Sequence, residues 1–282
     1  MHTYFKSWII VVVAALTLGT ASSAWATLLY GISFASPQGS VLYQVDPQTG
    51  QAGDPKPTGL SHVVGIAFSN DLALYGLTNV TAPTNPNSLV RINRKTGASQ
   101  LVGSTGLGNI VEGDLACDGT TGVLYGMYYL TSGLRDLFTL NAATGVATIL
   151  PVSLSGDPSA MAFDTTGTLY AIDTSLGKLL TIDKTTGSTL SSVALSRPLG
   201  SVAGMAVDPL TQTFYVADGD SSGTDHLYTL NPSTGLLTDI GSTGLDNGLA
   251  GLAFLPEPAS LALLGLGATI LRGRRGKPVI GR

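Results

Sequence analysis

Apolar residues between positions 27 and 255 do not recur at helical spacing. They come in short runs, several alternating with Ser, Thr, Gly or Asp, and turn residues separate the runs at roughly ten-residue intervals. One unit reads Leu42-Tyr43-Gln44-Val45-Asp46-Pro47-Gln48-Thr49-Gly50. It returns at Leu89 to Gly97, Leu137 to Gly145, Leu179 to Gly187 and Leu227 to Gly235. Its turn has a mechanism. Asp or Asn accepts a bond from its own backbone two residues on, Pro47 and Pro232 preset φ, and the closing Gly supplies a left-handed conformation. A second unit alternates with the first: Gly65-Ile66-Ala67-Phe68 followed by Ala73-Leu74-Tyr75-Gly76. Its relatives lie at Gly113 to Cys117 with Val123 to Gly126, Ser159 to Phe163 with Thr168 to Ala171, and Gly204 to Val207 with Thr213 to Val216. Both units read as β-hairpins, so each repeat holds four short strands, here a, b, c and d.

Thr-Gly pairs ending at 50, 97, 145, 187 and 235 set the repeat length. Four strands in 40–50 residues is the period of a propeller blade. The last repeat supplies only a strand a (Gly251-Leu252-Ala253-Phe254), and residues 28–31 supply only a strand b (Leu28-Leu29-Tyr30-Gly31). Together they complete one blade and remove a sheet edge. The expectation is an all-β, five-bladed β-propeller of four-stranded blades, closed by its N- and C-terminal strands; a β-sandwich or β-solenoid is the alternative. The repeats resemble the NHL-like and YVTN-like propeller families, a likeness that speaks for fold more than for function. Five tyrosines (Tyr30, Tyr75, Tyr125, Tyr170, Tyr215) share one strand-b position and are expected in the core.

The two ends stand apart from the repeats. Residues 1–26 carry Lys6, an apolar run from Trp8 to Leu18 and the small-residue site Ala24-Trp25-Ala26, the pattern of a cleaved signal peptide. The run is shorter than the ~20 apolar residues of a membrane span. Residues 256–282 hold Pro256-Glu257-Pro258, an apolar stretch from Ala259 to Leu271, and Arg272, Arg274, Arg275 and Lys277. The middle segment, 27–255, is long enough for one sizeable core. It contains 17 acidic and 8 basic residues, a net charge of −9 that the whole-chain value of −4 conceals. Such a domain lacks the basic patch that nucleic-acid binding requires.

Candidate chemistry is sparse. Cys117 is the single cysteine, so no internal disulfide forms, and it matches Phe68, Phe163, Val207 and Phe254 in the other repeats: a buried small hydrophobe. His62 and His226 are isolated, and Glu112 is the one glutamate of the middle segment. Most aspartates belong to turns, including Asp46, Asp164, Asp183 and Asp208. In the loop Asp218 to Asp225, the oxygens of Asp218, Asp220 and Ser222, with Asp225 beside them and Gly223 at the sixth position, match the start of a calcium loop. Thr229 stands where the closing bidentate Glu would be, and a plain polar loop is the competing reading. No other cofactor is expected. Tyr128 and Tyr129 break the tyrosine pattern and, if one is exposed, offer a ring for sugar stacking. Asn79-Val80-Thr81 is a sequon.

The order Pro256-Glu257-Pro258, apolar stretch and arginine cluster closely resembles the PEP-CTERM sorting signal. That resemblance implies processing by an exosortase near the Pro-Glu-Pro motif, and a Gram-negative host that makes exopolysaccharide. An apolar stretch of about 13 residues rises only ~20 Å as a helix, less than the bilayer core, which suits transient anchoring. The expected function is that of an exported envelope or extracellular-matrix protein whose propeller binds a surface glycan, such as exopolysaccharide, or an envelope protein. The alternative is a propeller-based extracellular enzyme, a polysaccharide lyase or hydrolase.

Overall fold

The computed structural model describes residues 27–256, apart from 35–38, 112, 130–134, 152, 155, 200–201, 219–224 and 247. The signal-peptide and sorting-tail readings therefore lie outside the described residues, except at Pro256. Within them the chain forms twenty strands in five antiparallel sheets of four.

Blade 1 joins the two ends of the domain: β20 (Leu249–Phe254), β1 (Leu29–Ser33), β2 (Val41–Val45) and β3 (Ala52–Pro57), in that order from the axis outward. Blade 2 is β4 (Val63–Phe68), β5 (Leu74–Thr78), β6 (Ser88–Ile92) and β7 (Ser99–Ser104). Blade 3 is β8 (Leu115–Cys117), β9 (Leu124–Tyr129), β10 (Arg135–Leu140) and β11 (Ala147–Ile149). Blade 4 is β12 (Pro158–Phe163), β13 (Leu169–Asp173), β14 (Lys178–Ile182) and β15 (Thr189–Ala194). Blade 5 is β16 (Val202–Val207), β17 (Phe214–Asp218), β18 (His226–Leu230) and β19 (Leu237–Ser242). The innermost strands touch in a closed cycle, β20 to β4, β8, β12, β16 and back to β20. This is the five-bladed propeller expected from the repeat, with its one-plus-three closure: Leu29 pairs with Phe254, Tyr30 with Ala253 and Gly31 with Leu252.

The core is divided as the geometry requires. A propeller sheet is covered on both faces by its neighbours, so five apolar clusters fill the five gaps. Ile32, Leu42, Val63 and Leu74 pack between blades 1 and 2. Leu77, Leu89, Leu115 and Phe138 lie between blades 2 and 3. Met127, Leu137, Met161 and Leu180 follow, then Ile172, Leu179, Met205 and Phe214, and finally Ala217, Leu227, Leu249 and Leu252. Each such side chain contributes about 1.5–3 kcal/mol on burial. The strand-b tyrosines bridge the same gaps. Tyr30 meets Phe68 edge-on at 5.5 Å, Tyr125 meets Phe163 at 5.1 Å, and Tyr215 meets Phe254 at 5.3 Å. Tyr30, Tyr75 and Tyr125 are buried as expected, while Tyr170 and Tyr215 are half-buried.

The c–d turns hold neighbouring blades together. In all five, the opening Asp or Asn accepts the N–H two residues on, as Asp46 does from Gln48 at 2.8 Å and Asn231 from Ser233 at 2.9 Å. The closing glycines Gly50, Gly97, Gly145 and Gly235 then abut the previous blade. Gly145 has φ +80°, and a Cβ there would lie 2.5 Å from the Gly103 carbonyl oxygen. The outermost strands are open edges. β3 blunts its edge with Pro55 and Pro57, and β11 is only three residues long.

Candidate functional site at the variable-loop face

An antiparallel blade puts its a–b and c–d turns at one end of the propeller and its b–c and d–a loops at the other. The a–b and c–d turns are short and alike. The b–c loops run from four residues (174–177) to nine (79–87), so loop variety is concentrated on one face.

Each b–c loop rests on a buried polar side chain three residues after the strand-b tyrosine: Ser33, Thr78, Tyr128, Asp173 and Asp218. Ser33 Oγ accepts the N–H of Val41 at 3.0 Å, and Thr78 Oγ1 accepts that of Ser88 at 3.0 Å. Asp173 Oδ1 accepts from Ser175 Oγ (2.7 Å) and the Leu176 N–H (3.0 Å). The d–a loops carry a second repeated device, Thr-Gly-Leu. Thr58, Thr105 and Thr243 are buried, and Thr58 and Thr105 donate to the Ser40 and Asn87 carbonyls at 2.7 and 2.8 Å. Among the described residues these positions tie the ends of the loops to the blades beneath them.

Several side-chain groups lie on that face. Phe34 and His62 stack at 4.8 Å and 17°. His62 sits at φ +60°, and its Nδ1 lies 3.1 Å from the Thr81 carbonyl oxygen. At the blade 3–4 junction, Arg135 is buried and pairs through Nε with Asp157 Oδ1 at 3.0 Å. Beside it the Tyr128 hydroxyl donates to Asp136 Oδ2 at 3.2 Å, and Ser153 donates to the other oxygen. At the blade 4–5 junction the Arg197 guanidinium lies 4.9 Å over the Tyr228 ring, and His226 Nδ1 is 3.0 Å from Asp239.

The residues singled out from sequence fall out as follows. Tyr128 is buried against Phe138, with centroids 5.8 Å apart. It therefore presents no free ring face, because it occupies the inward polar position at the end of strand b. The Tyr129 side chain lies outside the described residues. The exposed-side aromatic pair is instead Phe34 with His62, which the sequence reading did not single out because neither recurs in the repeat. Asp218 and Asp225 are both buried at the base of their loop; Asp220 and Ser222 lie outside the described residues. Among the described residues no group of three or more His, Cys, Asp or Glu side chains is placed to hold a metal. The sequon asparagine is occupied: Asn79 is buried, its Nδ2 donates to the Val111 carbonyl at 3.2 Å, and its Oδ1 accepts from the Thr81 N–H at 2.9 Å. Glu257, Pro258, Arg272, Arg274 and Arg275 are outside the described residues.

At the opposite, short-turn end the axis opens into an apolar cavity of about 230 Å³, lined by Phe68, Cys117, Phe163 and Phe254 and bordered by Pro256. Cys117 stands here where other blades place a bulky apolar residue, and burial pushes its thiol up to about 11. Lys184 and Asp118 link blades 4 and 3 at 2.5 Å. Burial raises the Asp118 carboxyl, but the bonds from Lys184 and Thr120 outweigh it and hold the group below its ordinary value.

Between the two ends lies one carboxyl the repeats do not foreshadow. Asp114 is fully buried; its Oδ1 accepts its neighbour Leu115 N–H at 2.8 Å, and its Oδ2 accepts the Met161 N–H at 2.8 Å. Burial pushes it well above the usual carboxylate range, against the opposing pull of N–H donors from Met161, Leu115 and Met205.

No family model matches the chain, and no curated protein matches it. Solved structures similar to it include a protein of unknown function from Bacteroides caccae (TM-score 0.52, 11% identity, 82% of this chain and 100% of that one). A chain of the nidogen/laminin complex matches at TM-score 0.51 and 12% identity, over 82% and 99% of the two chains. TolB from Acinetobacter baumannii matches at TM-score 0.50 and 12% identity, over 82% of this chain and 55% of that one. At these identities the similarity is one of architecture, and the chain is a five-bladed β-propeller.

Proposed function

We propose that the chain is an exported envelope protein whose propeller is a binding module, held from its short-turn end and presenting the variable-loop face to a surface glycan or envelope protein. The observation that carries this reading is the asymmetry of the two faces. Five near-identical turns close one end, where Pro256 leads into the Pro-Glu-Pro tail. Loops of different length, each starting from a buried polar residue at the end of strand b, occupy the other. A rigid scaffold with variable loops on one side is the usual arrangement of a recognition surface. The loop-face groups, a stacked Phe34–His62 pair and a buried Arg135 paired with a half-exposed Asp157, suit holding a ligand ring or polar edge better than transferring a proton. Exosortase processing and the envelope location rest on the sequence of the tail.

The test is a glycan array and polysaccharide pull-down with residues 27–255, repeated with Phe34→Ala and His62→Ala. Retained binding without turnover, weakened roughly tenfold by either substitution, supports the reading. Release of shortened sugar products in place of binding would favour a lyase or hydrolase. Intact-mass measurement of the envelope-extracted protein tests the sorting: the expected mass lacks the residues beyond about 260, and a mature chain still ending at Arg282 overturns it.

A further inference from the structure

Innermost strands of a propeller have an edge with no strand partner, so main-chain N–H and C=O groups point toward the axis. At one level of this ring the equivalent residues are Gly65, Asp114, Ala160, Gly204 and Gly251, each followed by a residue whose N–H lies close to the neighbouring strand. The approach is tight. A Cβ on Gly65 would fall 2.6 Å from the Leu115 nitrogen and 2.8 Å from Asp114 Oδ1. One on Gly204 would fall 2.6 Å from the Leu252 nitrogen, and one on Gly251 2.8 Å from the Ile66 nitrogen. Four of the five strands thus have Gly or Ala at this level, and the single larger side chain is the carboxyl of Asp114. It collects N–H bonds from Leu115, Met161 and Met205, which belong to three different blades.

We infer that the axis of the propeller is a main-chain carboxyl site, where N–H donors of several blades converge on one carboxyl group, and that Asp114 is its resident occupant. The chemical class it takes is a small carboxylate. Converging main-chain N–H groups bind anions elsewhere in proteins without any cationic side chain, and a carboxyl group, with acceptor capacity on both oxygens, matches the three N–H donors that meet it here. One blade therefore supplies an internal ligand for its neighbours, and the five-fold repeat is broken at the one place where five copies of the same side chain would collide. The bound carboxyl also closes the axis above the apolar cavity lined by Leu115, Met161 and Met205.

The inference is tested with Asp114→Gly, which restores the residue found at three of the other four positions. Its thermal midpoint is compared with wild type at pH 8 in sodium formate and in sodium chloride of equal ionic strength. The variant is expected to melt roughly 5–10 °C lower in chloride and to recover at least half of that loss in formate, with wild type unmoved. Amide exchange at 158–163 and 202–207 is expected to quicken in the variant and slow again with formate. A variant as stable as wild type overturns the inference, as does a formate effect equal in both proteins. Failure of formate to restore stability at any pH between 4 and 8 also overturns it. If the variant does not fold in chloride, refolding yield in formate decides: recovery supports the site, and equal failure in both salts counts against it.

Discussion

At the scale of single residues, two titratable groups, buried Asp114 and half-buried Cys117, give the clearest expectations. The Asp114 carboxyl is raised above its value in the unfolded chain by burial, and among the described residues main-chain donors rather than charged neighbours act on it. Below about pH 4 the carboxyl is largely protonated in both states and its contribution to stability is fully present. As pH rises beyond that, the unfolded chain ionises first, so the contribution of Asp114 to stability falls until pH passes the raised native value. Asp114→Asn cannot titrate. The urea midpoint of this variant, followed from pH 4 to 8, should improve relative to wild type as pH rises; a constant difference would contradict the raised carboxyl. Cys117 is the second group. With its thiol near 11 and its side chain packed beside Tyr75, little thiolate exists at pH 8. Iodoacetamide should modify it at least tenfold more slowly in the native protein than in urea, by mass spectrometry.

Elements carry the repeat, and here the sequence was most informative. The c–d turns were readable because everything that makes them lies within five residues: the Asx side chain, the N–H it binds and the closing glycine. What the glycine also does was not readable, since its neighbour comes from another blade. Gly145 meets the Gly103 carbonyl across such a junction, whereas Gly177, at φ +61°, has nothing within 4 Å of a built Cβ. Gly145→Ala is expected to cost roughly 2–3 kcal/mol, and Gly177→Ala about 1 kcal/mol from backbone strain alone. Equal urea midpoints for the two would show that the junction gives way freely. The same divide explains Tyr128 and Asp114. Reading three residues beyond each strand-b tyrosine would have aligned Tyr128 with Ser33, Thr78, Asp173 and Asp218, placing it inside. Asp114 showed in sequence only as a charged residue at a Gly or Ala position, because two of its partners, Met161 and Met205, lie one and two blades further along the chain. The Phe34–His62 stack had no repeat to announce it.

On the scale of the whole molecule, five equivalent inter-blade cores imply a ring that fails as a unit once it is opened. Deleting residues 249–255 removes β20, leaves β1 with a bare edge and strips β16 and β4 of their shared neighbour. Such a variant is expected to melt on the order of ten degrees lower or more and over a broader range; a transition as sharp and as high as that of the parent would mean that closure contributes little. The pairing of Leu29 with Phe254 also has a consequence in time. A nascent chain makes β1 first and its partner last, so blade 1 waits unfinished while the other four assemble. The closing step must bring together segments separated by nearly the whole domain, a slow event for a flexible chain. Since the Leu255 N–H already reaches the Leu28 carbonyl at 2.9 Å, a short join there, with new ends opened at the 174–177 loop, would turn that last long-range encounter into a local hairpin. The rearranged chain should reach the same fold sooner.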